Sequence, residues 1–400
     1  MQCTDSFNST SSLVYHDNIL LLSGILTDRL WWLNLSSFVW YEELCSGEFP
    51  PPTRFHATAQ CGSRIYVCGG EYPLLEVPQS SMGTLRHDLM DLFALNLIDL
   101  RWERLSCAWK PQARSHHTMT AVNDNMLIVF GGKPLRDEVT SYEMRDMMAN
   151  GFFAVYIFDI ASSVWRVFSQ PLLPKLWGHT AQMLNNDALV IFGGFETTLE
   201  MDEKGEEVPT IAVNNHLWFL NSKTMECYRR GDVVNARVMH KSHICGNNLC
   251  VLGGFSVDES TLELVLQRDA MEISLLSFET RPMSFCLKHW PLEHIASVVY
   301  NRQLIVMNKT EDIFVLQTDD DENWIRYRCD IRRIRTPPFL ITSVLQNQRE
   351  RREKSGRMNS QEGSMVGQQH WVKEPPPKPS VSPVLWTTFR KLEYPVTGLS

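Results

Sequence analysis

Residues 177–194 read WGHTAQMLNNDALVIFGG, and this stretch decides the fold because its pattern occurs four times along the chain. Each copy has a histidine, an alternating apolar run, a polar turn, a second apolar run and two glycines. The glycine pairs end at Gly70, Gly132, Gly194 and Gly254, a spacing of 60 to 62 residues. Apolar runs of period two that are separated by turns predict antiparallel strands.

Each of the first three copies is followed by another alternating strand, a turn and an aromatic residue, which is Trp102, Trp165 or Tyr228. Weaker copies occupy residues 19–40 and 304–324, so the chain contains six units of a four-stranded sheet. A single sheet of this kind cannot bury both faces, whereas sheets stacked around an axis can. We therefore expect one closed ring of six sheets, in which the outer aromatic residues cover the neighbouring sheet.

The glycine pairs, apolar strands and outer tryptophans together resemble the kelch-repeat family. The resemblance implies an all-β fold, a six-bladed kelch-type β-propeller of four-stranded antiparallel blades. The sequence after the last blade predicts a short C-terminal helix and then a polar, Pro-rich, disordered tail. Four regions are expected: an N-terminal extension, the propeller, a basic segment with the short helix, and a Pro-rich, largely disordered tail. They span residues 1–12, 13–328, 329–355 and 356–400.

The composition argues against several classes of protein. The chain is 44% apolar and 21% charged, which is typical of a globular protein with a large core. A net charge of −8 argues against a nucleic-acid partner, which needs a basic face. No apolar run is long enough to cross a membrane, and the first residues lack a signal-peptide pattern. The ten cysteines include no Cys-x-x-Cys pair, so we expect free thiols and a cytoplasmic or nuclear protein.

The sequence contains no phosphate-binding loop, HExxH, GxSxG or dinucleotide-binding glycine motif. His56, His117, His179 and His240 all fall early in the first strand of their units. This shared position favours histidines in the core or between blades over metal ligands. We therefore expect no enzyme activity, no cofactor and no metal. A kelch-propeller enzyme, either an oxidase or a sugar-processing protein, is the alternative.

Four cations are candidates for a partner-binding site. Arg54, Arg114 and Arg237 precede the first strand in three units, and Lys175 lies nearby in a fourth. In an up-and-down blade this position faces the mouth of the central channel, on the same side as the long loops 71–90, 133–150 and 195–213. Converging guanidinium groups suit a carboxylate or an acidic segment. The alternative is structural, with each arginine bonded to neighbouring loops.

A narrower resemblance concerns the segment after the last blade. Some intracellular kelch proteins are substrate receptors of cullin-type ubiquitin ligases, and their propeller is followed by a short helix that docks on elongin. Pro338, Phe339, Ser343 and Leu345 fall in the matching place, although Phe339 replaces the usual leucine and Ser343 the usual cysteine. The resemblance implies protein partners, with elongin and cullin subunits among them, and no membrane or nucleic-acid partner. A cytoskeletal or signalling scaffold is the alternative.

Overall fold

The computed structural model describes fourteen ranges of the chain, and every structural statement below concerns these residues. They are 11–16, 18–22, 28–35, 40–72, 89–135, 140–170, 173–185, 187–233, 235–258, 263–283, 294–308, 313–318, 324–329 and 389–391. Within them the regular structure is β-strand apart from one α-helix.

The first three sheets each contain four antiparallel strands in up-and-down order. The elements of this part of the chain are β1 Ser11–Tyr15, β2 Asn18–Leu22, β3 Arg29–Asn34, β4 Trp40–Leu44, β5 Ser46–Gly47, β6 Ala57–Cys61, β7 Arg64–Cys68, β8 Leu92–Asn96, β9 Arg101–Leu105, β10 Arg114–Ser115, β11 Thr118–Val122, β12 Met126–Phe130, β13 Lys133–Pro134, α1 Ser141–Ala149, β14 Val155–Asp159 and β15 Val164–Phe168. The sheets are β1–β4, β6–β9 and β11-β12-β14-β15, while β5 pairs in parallel with β9 and β10 pairs with β13.

The last three sheets repeat this arrangement. Their elements are β16 Leu176–Trp177, β17 Thr180–Leu184, β18 Ala188–Phe192, β19 Phe195–Met201, β20 Glu207–Val213, β21 His216–Asn221, β22 Cys227–Asp232, β23 Lys241–Cys245, β24 Asn248–Leu252, β25 Phe255–Val257, β26 Leu264–Leu266, β27 Ala270–Ser274, β28 Thr280–Pro282, β29 His294–Tyr300, β30 Gln303–Asn308, β31 Ile313–Thr318, β32 Trp324–Cys329 and β33 Phe389–Lys391. The sheets are β17-β18-β21-β22, β23-β24-β27-β28 and β29–β32, and β33 is added to the edge of the last one.

The innermost strands contact one another in a cyclic order. β1, β6, β11, β17, β23 and β29 each contact the next, and β29 contacts β1. Six clusters of buried apolar side chains fill the spaces between neighbouring sheets, one of them between the sixth sheet and the first. At that interface Ser12 Oγ donates to the Ser297 carbonyl at 2.7 Å, and Ser297 N donates back at 3.2 Å. The sheets are therefore the blades of a six-bladed β-propeller, stabilised by apolar burial between them.

Each glycine pair lets the following blade approach closely. Gly131 has a φ of +67°, and a Cβ there would overlap the Leu176 carbonyl and lie 2.6 Å from His179 Cε1. The same arrangement recurs one blade on, where a Cβ on Gly193 would lie 2.7 Å from His240 Cε1. A side chain is thus excluded both by the backbone conformation and by the neighbouring blade.

The outer aromatic residues are buried against a neighbouring blade, as the sequence predicts, in two blades, and one is exposed in a third. Trp102 and Trp165 are buried in the clusters shared with the preceding blade, as predicted. The corresponding prediction for Tyr228 was wrong, because its side chain is exposed. In β22 the place opposite Leu220 is taken by Cys227, which is buried against the preceding blade.

The ends of the propeller differ slightly from the predicted limits. The first strand begins at Ser11 and the last blade ends at Cys329, against the predicted range 13–328. The predicted short helix after the last blade lies outside the described residues. Phe389–Lys391 pair with β32, so this part of a tail that we expected to be largely disordered forms a strand.

Candidate functional site

Backbone hydrogen bonds join four of the loops that lead into first strands into an arc around one end of the central channel. His116 N donates to the Phe55 carbonyl, Gly178 N to the His116 carbonyl and Met239 N to the Gly178 carbonyl, at 2.7–3.1 Å. All four residues have φ between +53° and +65°. This left-handed conformation turns each chain from the end of the propeller into its inner strand. We call this arc the channel mouth.

The long loops lie at the same end of the propeller as the channel mouth. Residues that precede a first strand pair with residues that follow the glycine pair, as in Arg54 with Glu71, β10 with β13, and β16 with β19. We call this end the insertion face. The turns between the third and fourth strands lie at the opposite end.

The channel is a cavity of about 610 Å³ between the six inner strands. Its wall carries serine, threonine and glutamine side chains and seven basic residues, and its described lining residues include no acid and no arginine. The basic residues are His56, His116, His117, His179, His240, Lys241 and His243. Because burial holds the pKa values of these histidines below their ordinary value, the channel wall is polar, and Lys241 is the one cationic side chain among its described lining residues.

The histidines of the repeat link neighbouring blades. His179 Nε2 lies 3.1 Å from Thr118 Oγ1 of the preceding blade, and His240 Nε2 lies 2.9 Å from Thr180 Oγ1. Burial lowers the pKa of both imidazoles to about 3, so they are neutral at physiological pH. The predicted inter-blade role is confirmed for these two residues. Across the described ranges, no group of three or more His, Cys, Asp or Glu could hold a metal ion.

Cys68 and His117 form the one described Cys–His contact in the core, with Sγ 3.7 Å from Nε2. Burial raises the pKa of the Cys68 thiol to about 12 and holds that of His117 well below its usual value. Both groups are neutral and enclosed, so the pair lacks the thiolate that a nucleophile requires. Seven of the cysteines are free thiols in the structure: Cys45, Cys61, Cys68, Cys107, Cys227, Cys245 and Cys250.

Arg114 is fully enclosed, with 0% of its surface exposed. Nε donates to the Gln112 carbonyl at 3.1 Å, and Nη1 donates to the carbonyls of Gly131 and Phe152 at 3.0 and 2.8 Å. The guanidinium also lies over the rings of Phe152 and Tyr156, 4.2 and 4.6 Å from their centroids. Arg114 thus holds the start of its blade to the loop after the glycine pair.

The other three predicted cations precede the first strands of three different blades and have different surroundings. Arg237 is buried, and its Nη2 lies 2.7 Å from both carboxylate oxygens of Asp269. Arg54 is partly exposed and pairs with Glu71 at 3.1 Å, while Lys175 is half-buried. None of the four predicted cations is among the described residues that line the channel. Arg114 and Arg237 match the structural alternative, and partner contact by Arg54 or Lys175 stays a prediction.

The structure adds a polar cluster on the insertion face that the sequence analysis missed. Glu71 accepts from Ser115 Oγ at 3.1 Å and lies 3.9 Å from Lys133 Nζ, besides its pair with Arg54. Lys133 Nζ lies 5.5 Å from the ring centroid of Trp177. Glu71 and Lys133 each follow a glycine pair directly, and this shared position is the signal that could have revealed them.

Two insertions brace each other on the insertion face. Helix α1 begins with a capping box, in which Thr140 Oγ1 accepts from Glu143 N and Glu143 Oε2 accepts from Thr140 N. Met144 of the helix packs with Leu199 of the β19–β20 hairpin. Arg145 bonds Glu207 across the same contact, at 2.6 Å from Nε. The Thr-x-x-Glu pattern before an apolar spacing could have predicted this helix.

Large apolar side chains project from these two insertions into solvent. Tyr142 of α1 is 77% exposed, and Met201 and Ile211 of the hairpin are 68% and 60% exposed. Met201 and Ile211 lie on the same face of the hairpin, because they pair with Glu207 and Thr197 in an antiparallel register. The two insertions therefore expose three large apolar side chains on supports that contact each other.

Comparison with known proteins shows that the repeat region is similar to kelch domains of other proteins. The model of the KLHDC2/KLHL20/DRC7 Kelch-repeats domain matches residues 10–194. Kelch domain-containing protein 2 of Bos taurus is 28% identical over 180 residues, which are 43% of this chain and 37% of that protein. Kelch domain-containing protein 1 of Mus musculus is 26% identical over 200 residues, 49% of this chain and 43% of that protein. The matched regions span less than half the length of these relatives.

Beta-scruin of Limulus polyphemus is 24% identical over 257 residues, covering 64% of this chain and 23% of that protein. Among solved structures, that of YjhT aligns with a TM-score of 0.57 and 13% identity. It covers 80% of this chain and 97% of the YjhT chain, a likeness of fold. In the part of the chain that the structure describes, no helix is long and apolar enough to cross a membrane.

Proposed function

The chain is a kelch-repeat β-propeller protein, and we propose that it is a non-catalytic protein-recognition module that binds its partner on the insertion face. The observation that carries this proposal is the exposed apolar surface of Tyr142, Met201 and Ile211. Protein-binding sites commonly expose large apolar side chains, and tyrosine and methionine are enriched among them. The contact between α1 and the hairpin supports them on a rigid scaffold.

We further propose that the partner presents an acidic segment or a C-terminal carboxylate. Arg54 and Lys133 flank Glu71 on the insertion face, which leaves one net positive charge in this cluster. A partner carboxylate could bond these cations through charge-assisted hydrogen bonds. The hairpin tip at residues 202–207 is acidic and would repel such a segment, so the acidic part should lie towards the second blade.

We also propose that the protein is a substrate receptor of a cullin-type ubiquitin ligase, in the cytoplasm or nucleus. The support is the position of Phe339, Ser343 and Leu345 directly after the last blade, although these residues lie outside the described ranges. Elongin subunits should co-purify with the wild-type chain and be lost with Leu345→Asp. A wild-type chain that purifies without elongin contradicts this role and leaves the recognition surface to be tested separately.

Substitutions at the two ends of the propeller test the recognition surface. Ile211→Glu and Met201→Glu place a charge in the proposed contact. Ile98→Glu and Leu276→Glu are matched controls, because these residues are 78% and 75% exposed in turns at the opposite end. Proteins that co-purify with the tagged wild-type chain should be lost with the first pair of variants and kept with the controls, at unchanged melting temperature.

Two results would contradict the proposal. If Ile211→Glu and Met201→Glu retain the same proteins, the partner does not bind at these side chains. That result would favour the scaffold alternative, in which partners bind the sides of the propeller. A stoichiometric metal in the purified protein, measured by elemental analysis, would favour the enzyme alternative.

A further inference from the structure

A further strand of the chain covers the fourth strand of two blades, on the outside of the propeller. In the second blade β5 pairs in parallel with β9, and Glu48 N donates to the Trp102 carbonyl at 3.0 Å. The same contact brings the Glu48 carboxylate to 4.0 Å from Arg104 on β9. In the sixth blade β33 pairs antiparallel with β32. Strand addition at an outer edge, in either direction, is therefore a contact that this propeller makes.

The third blade has the same edge without a covering strand among the described residues, because its fourth strand β15 pairs there only with β14. Trp165 takes the place in β15 that Trp102 takes in β9. Its carbonyl therefore faces away from the sheet, as the Trp102 carbonyl does. In an antiparallel strand the N–H and C=O groups of alternate residues face the same side, so the N–H of Val167 faces outward too. β15 thus offers backbone donors and acceptors to a further strand.

The side chains of β15 differ from those of the other fourth strands that have no covering strand in the described ranges. Charged residues and proline commonly prevent strand pairing at the edge of a sheet. In the first, fourth and fifth blades the fourth strands contain Glu42 and Glu43, Arg229 and Arg230, and Pro282. β15 has a single charged residue, and Val164, Val167 and Phe168 are apolar and 40% to 50% exposed. Its edge is therefore the least protected of the four.

The exposed side chains of β15 indicate the chemistry of a strand that fits it. Val164, Arg166 and Phe168 lie on one face of the strand, and Val167 lies on the other. Arg166 is 63% exposed, although its Nη2 lies 3.9 Å from Asp159. A complementary strand therefore has an acidic residue between two apolar residues on one face and an apolar residue on the other. Its acidic residue would pair with an arginine of the edge, as happens where β5 covers β9.

We propose that β15 binds an extended segment of a partner protein, with an acidic residue between apolar residues, as a fifth strand of the third blade. Backbone hydrogen bonds supply affinity in such a contact, and alternate side chains supply specificity. A second copy of this chain fits less well, because two β15 strands paired about their middle residue oppose their Arg166 side chains. The site lies on the outside of the propeller and does not depend on the recognition surface of the insertion face.

Fluorescence anisotropy of a labelled peptide tests the site. The peptide contains Ile-Val-Glu-Thr-Val between polar residues and should bind the wild-type protein at one saturable site. Val167→Pro removes an outward N–H and should weaken binding about tenfold or more. Val164→Glu places a like charge near the acidic residue and should have a similar effect. Both changes suit a fourth strand, because Pro282 and Glu279 hold the equivalent places in the fifth blade. Ile98→Glu is the matched control and should bind as the wild type does.

Two N-methylated forms of the peptide test whether the contact is a strand pairing. One form is methylated at the second and fourth residues of the motif, and the other at the first, third and fifth. Only one form should lose binding, because a single set of alternate N–H groups faces the edge. Hydrogen exchange followed by mass spectrometry should find fast exchange at Trp165 and Val167 in the free protein and slow exchange with the peptide bound.

Several results would overturn the proposal. They are the absence of saturable binding, unchanged affinity in Val167→Pro and Val164→Glu, equal affinity of the two methylated peptides, and slow exchange at β15 in the free protein. A dimer of the free protein that Val167→Pro converts to a monomer would assign the edge to a second copy and overturn the partner assignment. Ile211→Glu should bind the peptide as the wild type does, so this site and the insertion face are tested separately.

Discussion

Replacement of Arg114 by alanine tests whether this arginine stabilises the fold or binds a partner. In the structure its guanidinium donates three hydrogen bonds to backbone carbonyls and lies over two aromatic rings. The variant removes these contacts and leaves buried carbonyls without their donor. A hydrogen bond from a charged donor contributes about 1.5–3 kcal/mol.

The net loss is smaller than the sum of these contacts, because the variant also removes a buried charge that is costly to desolvate. Desolvation already lowers the pKa of Arg114 from its ordinary value. We expect a net loss of about 3–5 kcal/mol, in the range of a broken buried charge network. At roughly 2 °C per kcal/mol for a large domain, the melting temperature should fall by about 6–10 °C.

Differential scanning calorimetry of Arg114→Ala and Arg166→Ala measures this effect. Arg166 is the control because its side chain is 63% exposed on an outer strand of the same blade and lies 3.9 Å from Asp159. It should melt within about 1 °C of the wild type, as surface substitutions usually do. An Arg114→Ala protein that melts like the wild type but loses its partner would refute the architectural role.

Two further predictions concern the contacts between blades. Burial lowers the pKa of His56 to about 4 and those of His179 and His240 to about 3, whereas an unfolded histidine titrates near 6.5. The unfolded chain therefore binds more protons below pH 6.5, and each of these histidines should cost about 2 kcal/mol of stability at pH 5. Urea unfolding should show a much lower midpoint at pH 5 than at pH 7.5, and equal midpoints would contradict the neutral buried rings. Gly131→Ala should destabilise far more than Gly62→Ala, because both glycines have positive φ but a Cβ on Gly62 would meet no atom within 4 Å. Urea unfolding of the two variants measures the difference, and equal losses would show that backbone conformation alone explains the glycine pair.

The repeat made the blades predictable from sequence. Glycine pairs at a fixed spacing mark the ends of second strands, so the sheets follow from local patterns. The shared position of His179 and His240 predicted their place between blades for the same reason. A periodic pattern reports what all blades have in common. It gives little information about side chains and loops that occur in a single blade.

The functional surface depends on contacts between parts of the chain that have no repeat. Met144 meets Leu199 across two blades, and Arg114 is enclosed by Phe152 and Tyr156 from the next loop and strand. Neither contact produces a periodic pattern in the sequence. The sequence therefore predicted that the arginines lie near the channel mouth, but it could not decide between a structural and a binding role for them.

Site-specific photo-crosslinking tests the central claim, that partners bind on the insertion face. A photoreactive phenylalanine derivative is introduced in place of Tyr142 on α1 and, in a separate protein, in place of Leu276 at the opposite end. Both side chains are exposed, and both lie on a blade or on an insertion of a blade. The two probes therefore differ mainly in which end of the propeller they sample. Irradiation in cells should crosslink co-purifying proteins to the position of Tyr142 and leave the position of Leu276 without crosslinks. Crosslinks at Leu276 with none at Tyr142 would contradict the account.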